Sequence, residues 1–176
     1  YAPQEDSNDF IWGDKTPDHL NHMNLLKELY PEARLLHIIR DPRDYCLSMR
    51  TTWGKSLYRA ADKWRRTLGV ARNIGDQYGA DYLEVLYESL LEKPAEVLGN
   101  ICRFLGCKLV PDMISLAKPS EEYGAAKGQI RIVRENQQKY LTQLMPPQIQ
   151  RIEEIVYPVA DAIGYEFQYA RALRQK

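Results

Sequence analysis

The chain has 176 residues, with 24 lysines and arginines against 24 aspartates and glutamates, 44% apolar and 27% charged residues. This composition is globular rather than disordered and long enough for one domain with a sizeable core. The zero net charge gives no support to a general nucleic-acid binder, which carries a basic excess, yet leaves room for one local anion site.

In chain order, "DKTPDHLNHMNLLKELYP" predicts the first helix. Thr16 is its expected N-cap, Pro17 takes the first helical position and Asp18 the first turn. Leu20, Met23, Leu26 and Tyr30 form its apolar stripe, and Pro31 ends it. The segment "ARLLHIIR" is aliphatic with almost no polar alternation, which predicts a parallel strand covered on both faces. Pro42 then opens a helix through "RDYCLSMRTTW". Residues 56–78 are amphipathic, with Leu57, Ala60, Ala61, Trp64, Leu68 and Ala71 on one face.

A second strand is expected over Tyr82 to Tyr87, then a helix over "KPAEVLGNICRFLGC" closed near Gly106. Residues 117–141 lack periodicity and read as a long basic loop, a kind of segment that often carries function. A final helix follows, with Ile149, Ile152, Val156, Val159 and Ile163 at helical spacing. Alternating helices and strands predict an α/β layer with right-handed crossovers, in one domain spanning residues 1–176.

Ligands of parallel sheets bind beyond the carboxyl ends of the strands. Arg40 stands at such an end, and Ser48 lies about two turns into the next helix. A guanidinium fork and a hydroxyl aimed at one place suit phosphate oxygens; the alternative is a surface capping ion pair among Arg40, Asp41 and Arg43. Lys15 precedes a helix start that favours an anion, or is a solvated lysine. His19 and His22 fall three apart; His19 is a candidate general base, and both also fit ordinary surface histidines. His37, within an aliphatic strand, reads as a core histidine.

The three cysteines, 46, 102 and 107, have neither zinc spacing nor a histidine-rich partner and read as small core residues in a reducing compartment. No metal is expected. No apolar run approaches the roughly 18–20 residues of a membrane helix. The opening "YAPQEDSNDF" has no signal-peptide layout, and a start at Tyr1 raises the expectation of upstream sequence.

"GDKTPDHL", "LYPEARLLHIIRDPRDYCLSM", the "KW" in the long helix and "LEVLYESLLEKPAEVLGNICRFLGC" stand in an order that resembles the sulfotransferase superfamily, nearest its bacterial and tyrosylprotein-type branch. The likeness covers roughly residues 12 to 107. It implies an α/β fold, a partial three-layer P-loop-like sheet of parallel strands flanked by helices. It also implies sulfuryl transfer from 3′-phosphoadenosine 5′-phosphosulfate (PAPS) to a hydroxyl or amine, with 3′-phosphoadenosine 5′-phosphate (PAP) as product.

By the same resemblance, Arg40 and Ser48 bind the donor's 3′-phosphate and Tyr87 lies near the nucleotide. Lys15 neutralises charge on the bridging oxygen, and Lys127, Arg131 and Arg134 close over the donor. His19 is the one base candidate in the chain. The acceptor (protein tyrosine, carbohydrate, lipid or small molecule) is left open by variable loops.

The sequence departs from the family pattern where the Pro/Arg-x-Ser-Gly-Thr-type 5′-phosphosulfate loop should precede residue 12, and the late loop lacks an Arg-Lys-Gly triplet. The chain therefore reads as the C-terminal part of a longer sulfotransferase, inactive alone. Its expected place is a bacterial cytoplasm, or a Golgi lumen if an N-terminal anchor is missing. The other readings are a non-catalytic nucleotide- or partner-binding module and a P-loop kinase fragment.

Overall fold

A computed structural model describes residues 11–115 and 127–170. Where one helix is expected from Thr16 to Pro31, it shows two pieces, a 3-10 turn over Pro17–Asn21 and helix α1 over Met23–Leu29. Local side-chain bonding accounts for the break. The Thr16 hydroxyl donates to Asp14 Oδ2 (3.3 Å) rather than capping, and Asn21 Nδ2 donates to Asp18 Oδ1 (2.6 Å). Short polar side chains that bond locally compete with the helical ladder. His22, at φ −127°, separates the pieces.

Strand β1 (Leu35–Ile39) pairs in parallel with β2 (Tyr82–Leu86), Leu35 opposite Tyr82 and Ile39 opposite Leu86. Parallel neighbours need a long crossover, supplied by α2 (Pro42–Trp53) and α3 (Leu57–Gly75). Asp41 caps α2 by accepting from the Arg43 amide (2.8 Å), and Gly54 ends it at φ 62°. All six residues of the expected apolar face of α3 are buried. Tyr87–Glu92 (α4), Pro94–Leu105 (α5), Tyr140–Gln143 (α6) and Pro146–Ile163 (α7) complete the helices, α5 ending at Gly106 as expected.

The core lies where α2, α3 and α7 meet beneath Ile39, with Trp64, Leu68, Ile152, Val156 and Phe167 at its centre. The fold is thus α/β, with a parallel pair flanked by helices. Covering of β1 on both faces is not what the structure shows. His37 and Ile39 point inward and are buried, while Leu36 and Ile38 are 37% and 49% exposed. With side chains alternating along a strand, only the inner face meets the core. Cys46 and Cys102 are buried as expected, and Cys107 is half-buried.

His37 is a bonded core histidine. The Tyr82 hydroxyl donates to Glu84 Oε1 (2.8 Å), and His37 Nδ1 lies 2.7 Å from the phenol oxygen. Arg72 Nε in turn donates to Glu84 (3.1 Å). A Cβ at Gly75 would overlap the Tyr82 ring, so the glycine lets this ring tuck under the end of α3. Burial, and then the Arg72 charge, lower the His37 pKa to about 4.

The unfolded chain therefore binds more protons than the folded one between about pH 4 and pH 6.5. Stability is fully present above the unfolded value and falls as pH drops toward 4, by about 3 kcal/mol. His37→Gln removes this contribution. Urea unfolding of both proteins at pH 4.5 and 7.5 should show a smaller pH difference in the variant, and equal differences would refute the assignment.

Candidate anion-binding site

Two parallel strands in register end together. Because Ile39 faces Leu86, the next residues, Arg40 and Tyr87, emerge side by side at the carboxyl edge. The Arg40 guanidinium carbon sits 4.8 Å from the Tyr87 ring centroid, a cation–π arrangement. Trp64 Nε1 donates to the Arg40 carbonyl (3.1 Å), and the Asp41 amide donates to Glu88 Oε1 (2.9 Å), so the backbone leaving β1 is held from two sides. Burial raises the Glu88 pKa, and its Oε2 accepts from the Tyr165 hydroxyl (3.0 Å).

Arg40 Nη2 donates to Asn136 twice, to the backbone oxygen (3.0 Å) and to Oδ1 (3.3 Å). Both acceptors are neutral, and the buried Nε has no hydrogen-bond partner among the described residues. A buried guanidinium nitrogen without an acceptor is the kind of orphan that an anionic ligand satisfies.

Arg43 behaves in the opposite way: in place of the surface capping pair expected among Arg40, Asp41 and Arg43, Asp41 and Arg43 pair inside the protein and Arg40 stays apart. Arg43 is 6% exposed and points inward, its Nε and Nη2 bonded to the Asp41 carboxylate (3.0 and 2.7 Å) and its Nη1 to Glu153 (2.8 Å). Of the two arginines in "RDPRD", one is consumed by buried carboxylates and the other is held at the strand end by neutral groups.

Asp44, 1% exposed, accepts from the Tyr140 amide (3.0 Å) through Oδ1, while Oδ2 has no hydrogen-bond partner among the described residues. Burial raises its pKa. Lys139 sits close enough to feel both charges: burial lowers its pKa, the positive charge of Arg40 lowers it further, and Asp44 acts the other way. Ser48 lies one turn beyond Asp44 on α2, on the same face. Its hydroxyl makes no hydrogen bond with a described residue.

The remaining predicted residues are more dispersed. Lys15 and Lys127, Arg131 and Arg134 are exposed, and none of the four bonds to Arg40 or Tyr87. The residues of the late segment brought to Arg40 are Asn136 and Lys139, which the sequence did not single out. His19 Nε2 lies 3.2 Å from Asp14 Oδ2, and His22 pairs separately with Asp18 (3.5 Å). Lys15 precedes the 3-10 turn rather than an α-helix start. Its neighbour Thr16 shares a cavity of about 460 Å³ with Arg40, His37, Lys63 and Trp64. No group of residues that would hold a metal occurs among the described residues.

Fold and site define an α/β chain that sets a guanidinium on an aromatic ring, with an ammonium nearby, at the ends of two parallel strands. The family model described as "Sulfotransferase family" matches residues 1–112, and the chain belongs to that family. Among solved structures it is similar to the sulfotransferase domain from the curacin biosynthetic pathway, with a TM-score of 0.68 and 19% identity over 88% of this chain and 62% of that one. It is also similar to the sulfotransferase domain of the Synechococcus PCC 7002 olefin synthase, with a TM-score of 0.73 and 21% identity over 88% of this chain and 58% of that one. The chain thus spans about three fifths of each structural relative. No curated protein matches it.

Proposed function

We propose that this chain holds the 3′-phosphate side of 3′-phosphoadenosine 5′-phosphosulfate and belongs to an enzyme that transfers the sulfuryl group to a hydroxyl or amine. The observation that carries this reading is Arg40: a guanidinium at the in-register ends of β1 and β2, stacked on Tyr87 and, among the described residues, bonded only to neutral oxygens and with Nε unpaired. When bound, the donor supplies an activated sulfuryl group. Arg40 offers its fork to the phosphate, Ser48 a hydroxyl, and Tyr87 a flat apolar face.

Lys15 is the cation for charge developing on the bridging oxygen. The Asp14–His19 pair (3.2 Å) is the arrangement that orients an imidazole to take an acceptor proton. Positioning and charge stabilisation do the work in such transfers. No helix among the described residues is long and apolar enough to cross a membrane. With three free thiols, a reducing bacterial cytoplasm is the compartment we infer.

Calorimetric titration of the chain with PAP tests the reading, and Ser48→Ala sharpens it. Loss of one hydrogen bond to a charged group, about 1.5–2 kcal/mol, should weaken binding roughly 10- to 30-fold. The unfolding midpoint should stay put, since the Ser48 hydroxyl bonds to no described residue. Unchanged affinity in Ser48→Ala would remove this residue from the site.

A further inference from the structure

Asn136 is 6% exposed, and every polar group of its side chain is committed to the strand-end pair. Its Nδ2 donates to the Tyr87 hydroxyl (2.8 Å), while Oδ1 and the backbone oxygen accept from Arg40 Nη2. Its own amide donates to the Val133 carbonyl (3.0 Å), which fixes the turn presenting it. Four residues on, the Tyr140 amide bonds Asp44 (3.0 Å), so the segment is attached to α2 as well. One amide side chain thus spans the cation and the aromatic ring on which that cation stacks, although 96 residues separate it from Arg40 and 49 from Tyr87.

The chemistry of this clamp is specific. A carboxylate at the same place would bond Nη2 equally well but would neutralise the guanidinium and compete with any incoming anion. An amide fixes the fork and leaves its charge intact. It also bonds both partners at once, accepting from the arginine and donating to the phenol oxygen, whereas a carboxylate would have to take the phenol's own proton. With Nη2 tied back and Nε unpaired, the fork is restrained before ligand arrives, which lowers the ordering cost of binding.

We propose that Asn136 is the positioning residue of the 3′-phosphate site, holding Arg40 on Tyr87 with neutral acceptors so that the guanidinium presents an unneutralised edge to the phosphate. This rests on the donor reading of Arg40 given above. Asn136 acts through Arg40 and Tyr87 rather than on the ligand itself.

The test is calorimetric titration of the wild-type chain, Arg40→Ala, Asn136→Ala, Asn136→Asp and Tyr87→Phe with PAP, and with adenosine 5′-phosphate, which lacks the 3′-phosphate. Asn136→Ala is expected to weaken PAP roughly 10-fold by releasing the fork. Asn136→Asp, although nearly isosteric, is expected to weaken it more, roughly 100-fold, because the new carboxylate pairs with Arg40. Tyr87→Phe keeps the stack and removes one bond to the clamp, for a loss of about 3-fold. Binding of adenosine 5′-phosphate is expected to change less than 3-fold throughout.

A merely structural asparagine predicts the reverse order, with the isosteric Asp milder than Ala, and that order overturns the proposal. So does wild-type affinity in both Asn136 variants while Arg40→Ala abolishes binding, a result that leaves the donor reading standing. Absence of PAP binding by the wild-type chain overturns the donor reading, and the role of Asn136 with it.

Discussion

Replacing Glu153 with Ala is expected to lower the unfolding free energy by about 3–5 kcal/mol, the range for breaking a buried ion pair from one side. Glu153 is 0% exposed, and its carboxylate accepts four bonds. One comes from Arg43 Nη1 (2.8 Å) and three from the backbone amides of Gln168 (3.0 Å), Tyr169 (2.7 Å) and Ala170 (3.0 Å). Alanine leaves three amide donors, one buried and two part-buried, and part of a buried guanidinium without their acceptor, each amide costing up to about 1–3 kcal/mol where water cannot reach it.

Glu153→Gln keeps one acceptor oxygen and much of the shape, so its loss should be smaller, about 1–3 kcal/mol. Urea unfolding by linear extrapolation distinguishes the two. Combining Glu153→Leu with Arg43→Met should be no more stable than Glu153→Ala, since loss of Arg43 strips the buried Asp41 carboxylate of its guanidinium as well. A loss below about 1 kcal/mol in Glu153→Ala would mean the network is not what anchors residues 168–170 to the core.

The consequence reaches the anion site through Asp41. Its carboxylate holds Arg43 Nε and Nη2 and caps α2, while its amide is fixed by Glu88. Arg40, one residue earlier, inherits that rigidity. The buried charges behind the strand end therefore act as a frame on which the half-buried guanidinium is mounted.

What was legible in the sequence follows from how local each signal is. The α3 face, the stop at Gly106 and the two strands were readable, because helical spacing, a left-handed glycine (φ 76°) and short aliphatic runs report on a residue's own element. The split before α1 was not, because Thr16 and Asn21 spend their side chains on Asp14 and Asp18 instead of the helix. The inward course of Arg43 was hidden because its partner Glu153 lies 110 residues away. A signal for that partner existed: Glu153 falls one turn after Ile149 and three residues before Val156, on the apolar stripe of α7. Asn136 had none, since its partners are reached only once the strands are in register.

Arg40→Ala is expected to weaken PAP at least about 100-fold, the equivalent of about 3 kcal/mol for two charge-assisted bonds to one phosphate. The fold should suffer less. The variant gives up a cation–π contact of about 1 kcal/mol and the Arg40 bonds to the neutral Asn136 oxygens, for a stability loss of about 1–2 kcal/mol. Arg40→Lys should fall between wild type and alanine, because an ammonium keeps the charge and loses the fork.

Salt supplies an independent check. A half-buried guanidinium binding a phosphate is still partly screened as ionic strength rises, so wild-type affinity should fall between low and physiological salt, and the Arg40→Ala protein should show a flatter dependence. Adenosine 5′-phosphate, without the 3′-group, should be nearly indifferent to the substitution. If it loses as much as PAP does, Arg40 contacts some other part of the nucleotide. If neither ligand loses affinity, the guanidinium at the ends of β1 and β2 serves the fold through Asn136 and Tyr87, and the anion is held elsewhere.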